Sequence, residues 1–290
     1  MTIDQGQGPV VQSALLRGEL VRLRRASDLT QEQVAGELEW SPSKLIRIEG
    51  GRSSITKVDL DALLDKYAVS SADERNRLQA LNRGARVRAW WDDYRADLPA
   101  EYLSYVGYEA GASFIRVFHN AVVPGLLQTR EYAQVVSWII SDNRADAEVP
   151  VNLRLRRQTE LAKRTPPPYQ YFVLDEAVIR RQVGISADPG IMPAQLRTIA
   201  ARASAELMTV RVIPFTAGAH AGLTLPFTLL EFDGLPDVLY LDASRGTISL
   251  IFGDDSRVSE YRDAYERLLS DALSPSASIE LISEVADQMA

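Results

Sequence analysis

The 290-residue chain contains no cysteine and only two histidines, His119 and His220. The lack of cysteine excludes disulfides, thiolate zinc sites and a cysteine nucleophile, and two histidines are too few for a histidine-rich metal site. No apolar run approaches the roughly 18 residues that a membrane-spanning helix needs. Residues 1–8 also lack the basic start and apolar core of a signal peptide. These absences predict a cytoplasmic protein that uses no metal or other cofactor.

Length and composition predict two globular domains. The chain is 46% hydrophobic and 24% charged, as expected for a folded protein of more than one core. Charge is divided unevenly, because residues 1–88 hold 14 Lys or Arg and 12 Asp or Glu, whereas residues 89–290 hold 18 and 27. We therefore expect a disordered lead over residues 1–10, a first domain over 11–88 and a larger acidic domain over 89–290.

Residues 28–52 predict two short helices joined by a tight turn. Thr30 is a good N-cap for the first helix because Gln33, three residues later, completes a capping box. This helix is expected to end at about Leu38, which leaves only two residues for the turn. So short a turn holds two helices at a steep angle and lets the second one protrude.

The second helix is predicted to present a polar face. Ser41 is its expected N-cap and Pro42 its first residue, while Leu45 and Ile48 would face the core. The opposite face then carries Ser43, Lys44 and Arg47. Such a helix fits the DNA major groove, where arginine binds a guanine edge and lysine or serine binds a base or a phosphate. The alternative is an ordinary helical hairpin with a solvated charged face; the local basic excess, to which Arg52 adds, favours DNA.

This region resembles the lambda-repressor-like (XRE-type) helix-turn-helix regulators. The resemblance rests on Leu-Thr-Gln-Glu at residues 29–32, Ser-Pro-Ser-Lys at 41–44 and Arg-Ile-Glu-Gly-Gly-Arg at 47–52. It implies phosphate contacts by Thr30, Gln31 and Ser41 and places Ser43, Lys44 and Arg47 toward the groove. Two positions depart from the family: Glu39 stands where glycine is frequent, and Pro42 occupies a frequent base-reading position. Base recognition is therefore expected to involve fewer residues than usual.

Three further helices are predicted around this motif, over residues 13–26, 56–65 and 72–88, which makes an all-α domain of about five helices. After residue 89 the pattern changes to α+β. Several late, nearly consecutive strands favour a mainly antiparallel sheet. The strands are predicted over residues 169–174, 209–213, 225–232, 238–241 and 247–252, and the helices over about 99–111, 129–141, 149–164, 193–203, 256–272 and 276–289.

The second region resembles DUF5753, a domain of unknown function that follows this type of helix-turn-helix in actinobacterial regulators. The resemblance rests on Val-Pro-Gly-Leu-Leu-Gln-Thr-Arg-Glu-Tyr-Ala at residues 123–133, with shorter runs at 156–158, 174–177, 212–220 and 227–232. It implies a transcriptional regulator, often encoded beside a small acidic DUF397-type protein. The resemblance does not identify a ligand.

Acidic and basic side chains near Glu176 form the nearest approach to a reactive cluster. Asp175 and Glu176 precede a helical pattern, so helix N-terminal carboxylates are the simpler interpretation. His220 lies in a loop of small residues and is either a pocket residue or a structural one. No Gly-x-Gly-x-x-Gly, Walker or Gly-x-Ser-x-Gly motif is present. We therefore expect no enzyme, and take Glu176, Arg180 and His220 as candidate ligand or partner residues.

Three functions remain open from sequence. The leading hypothesis is a sequence-specific transcriptional regulator, binding double-stranded DNA as a homodimer, whose second domain senses a ligand or binds a small protein. The second is an antitoxin-like or anti-regulator component paired with a DUF397-type protein, and the third is a DNA-tethered enzyme. The C-terminal helix, with Leu281, Ile282 and Val285, either supplies the dimer interface or packs on its own domain.

Overall fold

The computed structural model describes residues 8–140, 147–203, 208–242, 248–253 and 255–289. The chain divides into two compact units, residues 1–92 and 93–290. Most of the predicted disordered lead, residues 1–7, lies outside the described residues. In the described part, no helix is long and apolar enough to cross a membrane.

The first unit is built from five α-helices, as predicted. Their amphipathic faces enclose one core of leucine, isoleucine and valine side chains, with Leu45, Leu60 and Leu78 fully buried. The helices are α1 (Pro9–Ala26), α2 (Gln31–Glu37), α3 (Pro42–Glu49), α4 (Lys57–Lys66) and α5 (Ala72–Gly84).

Two helix ends differ from the prediction. Helix α1 begins at Pro9, earlier than residue 13, because proline suits the first helical turn and Val11 is fully buried. Helix α5 ends at Gly84, before residue 88. The backbone N–H groups of Arg86 and Val87 donate to carbonyls three residues earlier, which is the hydrogen-bond pattern of a 3₁₀ turn rather than of an α-helix.

Four of these helices end in the same hydrogen-bonded motif. In α2, the N–H of Trp40 donates to the carbonyl of Ala35 at 2.7 Å and the N–H of Glu39 to that of Gly36 at 3.2 Å. This is a Schellman motif, which requires a positive φ at the residue after the C-cap. Helices α1, α3 and α4 end likewise, and the four positive-φ residues are Asp28, Glu39, Gly51 and Ala68.

The second unit is α+β, with a six-stranded sheet in the order β3-β2-β1-β4-β5-β6. Its strands are β1 (Phe114–His119), β2 (Tyr169–Asp175), β3 (Met208–Ile213), β4 (Phe227–Glu231), β5 (Val238–Asp242) and β6 (Ile248–Phe252). Its helices are α6 (Ala100–Gly111), α7 (Arg130–Ile140), α8 (Glu148–Ala162), α9 (Glu176–Arg180), α10 (Ile191–Arg202), α11 (Ser256–Asp271) and α12 (Pro275–Gln288).

The sheet is mixed, so the prediction of a mainly antiparallel sheet was wrong. Strand β1, which the sequence prediction missed, lies in the middle and pairs parallel with β2, which pairs parallel with β3. Helices α7 to α10 provide the long crossovers that parallel pairing requires. The remaining three pairs, from β1 to β6 through β4 and β5, are antiparallel.

The two faces of the sheet are covered differently. On one face, alternate residues such as Phe118, Phe227 and Leu239 pack against α11 with Tyr265. The opposite residues, including Val117, Phe172 and Tyr240, line a cavity together with side chains from α6, α7 and α8.

Helix α12 packs on α10 and on the edge strand β3. Ile282 and Val285 are buried there, so their apolar face is used within the unit itself. The hydroxyl of Ser278 accepts the N–H of Val212 at 2.9 Å, and the carbonyl of Val212 accepts the N–H of Leu273 at 2.9 Å. The C-terminal segment therefore satisfies backbone groups of β3 that no strand pairs.

Candidate nucleic-acid interface and candidate ligand cavity

Helix α3 presents one exposed polar face, as the sequence predicted. Leu45 and Ile48 are buried, whereas Ser43 and Arg47 are exposed on the other side of the helix. Arg47 makes no ion pair with any residue that the structure describes, so its guanidinium is available to a ligand. A planar guanidinium with free donors is suited to a guanine edge or a phosphate.

The start of α2 is held by a complete capping box. The Thr30 hydroxyl accepts the N–H of Gln33 at 3.1 Å, and the Gln33 side chain accepts the N–H of Thr30 at 2.8 Å. The Thr30 hydroxyl can still donate its own hydrogen. Thr30 is exposed, as a phosphate contact requires.

Ser41 precedes α3 as predicted, but its side chain does not cap the helix. Its hydroxyl lies 3.2 Å from that of Ser43, and both residues are exposed. Pro42 occupies the first turn of the helix, where the fixed φ of proline suits the start of the helix without that hydrogen bond. The hydrogen bond between them uses one of the two hydroxyl hydrogens, so the other can donate to a phosphate.

Lys44 is engaged within the first unit. Its ammonium group donates to Asp59 at 2.6 Å and lies 3.8 Å from the centre of the Trp40 ring. Burial works to raise the pKa of Asp59, but the hydrogen bonds from Lys44 and Thr56 lower it overall. Lys44 is thus held by a carboxylate and a ring, and offers less free charge than the sequence alone indicated.

Glu49 joins three helices of the motif, a role that the sequence analysis missed. Arg24 of α1 binds both Glu49 oxygens, at 2.7 and 2.9 Å, and Gln31 of α2 donates to the same carboxylate at 2.7 Å. The Glu49 side chain is only 4% exposed. Hydrogen bonding to Glu49 raises the pKa of Arg24. Gln31, predicted to contact phosphate, is therefore oriented by a buried ion pair and keeps a second amide hydrogen free.

Arg52 and Lys57 follow α3 and are exposed. Neither forms an ion pair with another described side chain, in contrast to Lys44. Together with Arg47 they give the region around the end of α3 and the start of α4 an uncompensated positive charge, which is what binding to DNA phosphates needs.

The candidate residues near Glu176 have structural roles. Asp175 caps α9 by accepting the N–H of Ala177 at 2.7 Å, and Glu176 accepts the N–H of Phe215 at 2.6 Å while pairing with Arg180 at 2.5 Å. His220 lies 2.9 Å from Asp175 through Nε2, and its Nδ1 accepts the N–H of Gly222 at 3.2 Å. These contacts fasten the loop before β4 to the end of β2.

A cavity of about 220 Å³ lies elsewhere in the second unit, and Glu176, Arg180 and His220 do not line it. It lies beside the C-terminal end of β1, where the last residue of the strand and the loop that follows it, residues 119–126, line it. Its lining combines aliphatic residues of β1, α7 and the 121–126 loop with aromatic and polar side chains. The aromatic and polar lining residues are Tyr102, Tyr105, His119, Asn120, Gln128, Arg154, Arg157, Phe172, Thr228 and Tyr240.

A buried ion pair forms part of the cavity wall. Arg157 donates to Glu109 through Nε at 2.8 Å and through Nη2 at 2.5 Å, and Nη1 donates to Tyr102 at 2.9 Å. Burial works to lower the pKa of Arg157, but the charge of Glu109 keeps it well above its usual value. Burial, reinforced by the charge of Glu109, raises the pKa of Tyr105, which donates to that carboxylate at 2.7 Å.

Three tyrosines are stacked along the same wall. The ring centroids of Tyr105 and Tyr240 lie 3.9 Å apart and those of Tyr102 and Tyr105 lie 6.1 Å apart, each pair at 22°. His119 also lines the cavity, and burial lowers its pKa to about 4 while a hydrogen bond to the backbone of Val122 opposes the shift. His119 is therefore neutral at physiological pH.

The loop of residues 123–129 forms the rim and is fixed by side chains from three helices. Gln158 donates to the carbonyls of Gly125 and Gln128, both at 2.9 Å, and the fully buried Gln195 binds the backbone of Leu127 and Thr129. Tyr132 accepts the N–H of Val123 at 3.0 Å. The structure thus brings together the sequence runs 123–133 and 156–158.

The cavity residues within these runs were not among the site residues predicted from the sequence. One signal was present: Leu153, Arg157 and Leu161 are spaced four residues apart, so the arginine shares the buried face of α8 with two leucines. A buried arginine needs a carboxylate partner. The identity of that partner, Glu109, depends on the packing of α6 against α8 and could not be read from the sequence.

Two family models match the chain. A model described as "Domain of unknown function (DUF5753)" matches residues 102–284, and one described as "Helix-turn-helix domain" matches residues 15–78. No curated protein and no solved structure matches. Among the described residues, no group of three or more His, Cys, Asp or Glu side chains could hold a metal ion.

Proposed function

Because the chain belongs to the DUF5753 family and carries a helix-turn-helix domain, we propose that it is a transcriptional regulator that recognises a specific DNA sequence with α3. The observation that carries the proposal is the exposed guanidinium of Arg47, which pairs with no described carboxylate, on the face of α3 opposite Leu45 and Ile48. A recognition helix in the major groove reads bases with such a side chain.

The other candidate residues divide by role. Thr30, Gln31 and Ser41 bind phosphates and fix the register of the protein on DNA, and Arg52 adds a charged phosphate contact. Ser43 stands beside Arg47 on the groove side. Lys44 contributes less, because Asp59 already neutralises it. Recognition therefore rests mainly on Ser43 and Arg47.

Arg47→Ala tests this assignment. A DNA site is first selected by the full chain from a random duplex library, and affinities are then measured for that site and for single-base variants. Arg47→Ala should weaken binding by about 1–3 kcal/mol and flatten the preference at one base pair. Arg267→Ala, an exposed arginine of α11 without an ion pair among described residues, is the matched control and should bind like wild type. Wild-type affinity and preference in Arg47→Ala would refute the groove assignment.

We further propose that the second unit senses a small molecule in its cavity and that the protein works as a homodimer. The cavity supports sensing over catalysis, since Asp175, Glu176 and His220 are occupied by backbone and neighbouring side chains. Pairing with a small acidic DUF397-type protein is the alternative. Purification from the native host separates the two: a stoichiometric small protein supports the alternative, and a co-purified metabolite supports sensing. Light scattering of the purified chain tests the dimer.

A further inference from the structure

We propose that the cavity binds a small aromatic carboxylic acid that also carries a hydrogen-bond donor. The carboxylate binds Arg154, the ring lies against the tyrosine wall, and the donor satisfies the Oε1 atom of Gln128. The inference rests on the proposed sensing function and names the chemical class of the ligand. Three features of the cavity carry it: its net charge, its aromatic wall and an unpaired buried acceptor.

The charge comes from two arginines with different surroundings. Arg157 is neutralised by the buried carboxylate of Glu109. Arg154 donates to the hydroxyl of Ser137 at 2.6 Å, and no carboxylate among the described residues pairs with it. His119 is neutral, since burial lowers its pKa to about 4. The cavity therefore carries one uncompensated positive charge, which a monoanion would balance.

The apolar part of the lining combines aliphatic side chains with one aromatic wall. Tyr105 stacks at 22° on Tyr102 and at 22° on Tyr240, and Phe172 from β2 also lines the cavity. Rings of this kind favour offset stacking or edge contact with another ring. A planar ring therefore gains stacking contacts from this wall that a branched aliphatic group does not.

Gln128 provides an independent sign of a missing partner. The residue is 4% exposed, and its amide nitrogen donates to the carbonyl of Val123 at 2.8 Å. Its Oε1 atom is closed off from water and makes no hydrogen bond with any residue that the structure describes. Buried acceptors without a partner are rare in folded proteins and call for an explanation. Because Gln128 lines the cavity, a turn of its side chain on binding would bring this oxygen to a hydroxyl or amino group of the ligand.

The size of the cavity limits the ligand to one ring. Its volume of about 220 Å³ is below the roughly 300–1,000 Å³ that is usual for drug-sized ligands. We therefore expect benzoic or phenylacetic acids with one hydroxyl or amino substituent, and we exclude dinucleotides and other large cofactors from this site.

Calorimetric titration of the full chain, without DNA, tests the ligand class. The probes are benzoate, phenylacetate, their 3- and 4-hydroxy and 2-amino derivatives, and the amide of each acid. At least one substituted acid should bind with a Kd below 1 mM, about tenfold or more tighter than its amide and about tenfold tighter than the unsubstituted acid. Absence of binding by every acid below 1 mM, or equal binding of acids and amides, overturns the proposal.

Variants then assign the contacts. Arg154→Gln should abolish the preference for acid over amide, and Gln128→Leu should abolish the preference for the substituted over the unsubstituted acid. Arg156→Gln is the control, because Arg156 lies on the same helix but pairs with Asp93 and does not line the cavity. If the preferences persist in the first two variants, the contacts are wrong. DNA affinity of the wild-type chain is measured on the same samples. Sequence-specific DNA binding without acid binding refutes this inference alone, whereas absence of sequence-specific DNA binding by the wild-type chain refutes the proposed regulator.

Discussion

Lys44 and Arg47 illustrate how much single side chains could be predicted from the sequence. Both were placed on the outer face of α3 by the spacing of Leu45 and Ile48, and the structure confirms that face. The pairing of Lys44 with Asp59 could not be predicted, since Asp59 lies on another helix, 15 residues further along the chain. Facing direction follows from helical periodicity, whereas the choice of partner depends on tertiary packing.

His119 should make the stability of the second unit depend on pH. Burial lowers its folded pKa to about 4, below its usual value of 6.5, so the unfolded chain binds more protons between these values. Its contribution is fully present above about pH 6.5 and is lost as the pH falls toward 4, by up to about 3 kcal/mol.

Urea unfolding at intervals from pH 4 to 7.5 measures this effect. The difference in unfolding free energy between wild type and His119→Asn should change over that range, because the variant lacks the titrating ring. A wild-type to His119→Asn difference that is constant with pH would contradict the assignment.

At the scale of secondary structure elements, the C-terminal ends of α1 to α4 are positions where a substitution can increase the free energy of unfolding. The Schellman motif places one residue in the left-handed region, where an L side chain is disfavoured, yet three of the four positions are Asp28, Glu39 and Ala68 rather than glycine.

Ala68→Gly should therefore raise the stability of the first unit by about 1 kcal/mol, because it removes the strain of φ +54° at the end of α4. Chemical denaturation followed by circular dichroism gives the change. The half-buried mid-helix Ala80→Gly in α5 is a suitable opposite control and should lower stability by about 1 kcal/mol. A loss of stability in Ala68→Gly would show that this C-cap carries no strain.

The strands of the sheet were predicted well except for one, and that omission made the predicted sheet type wrong. Runs of β-branched and aromatic residues predicted five strands. The bounds of β2 to β5 agree with the prediction to within two residues. The predicted start of the last strand, residue 247, lies outside the described residues, and β6 is observed from Ile248. Strand β1 was missed, although Ile115 and Val117 alternate with Phe114 and Arg116. Since β1 supplies the parallel pair with β2, its omission also led to the wrong sheet class. Strand order depends on long-range pairing, which local patterns do not encode.

At the scale of the whole molecule, the two proposed activities are DNA binding by the first unit and ligand binding by the second, and they are linked only if binding at one site changes affinity at the other. If an aromatic acid in the cavity changes affinity for DNA, then DNA must change affinity for the acid by the same factor. Such coupling factors are typically about 5–150-fold.

The two factors can be measured independently on the full chain. DNA affinity is determined with and without saturating acid, and acid affinity with and without saturating DNA of the selected sequence. We expect the two ratios to agree and to differ from one. A ratio of one in both directions would mean that the cavity does not regulate DNA binding, whatever it binds.

The way the C-terminal segment covers β3 limits how this chain can associate with itself. An edge strand with free N–H and carbonyl groups invites strand addition by a second molecule. Here Ser278 and Leu273 already occupy both backbone groups of Val212, and α12 buries Ile282 and Val285. Domain swapping or sheet extension at this edge would first require α12 to detach. Two copies of the intact fold therefore cannot pair by strand addition at Val212, and loss of α12 would expose an aggregation-prone edge.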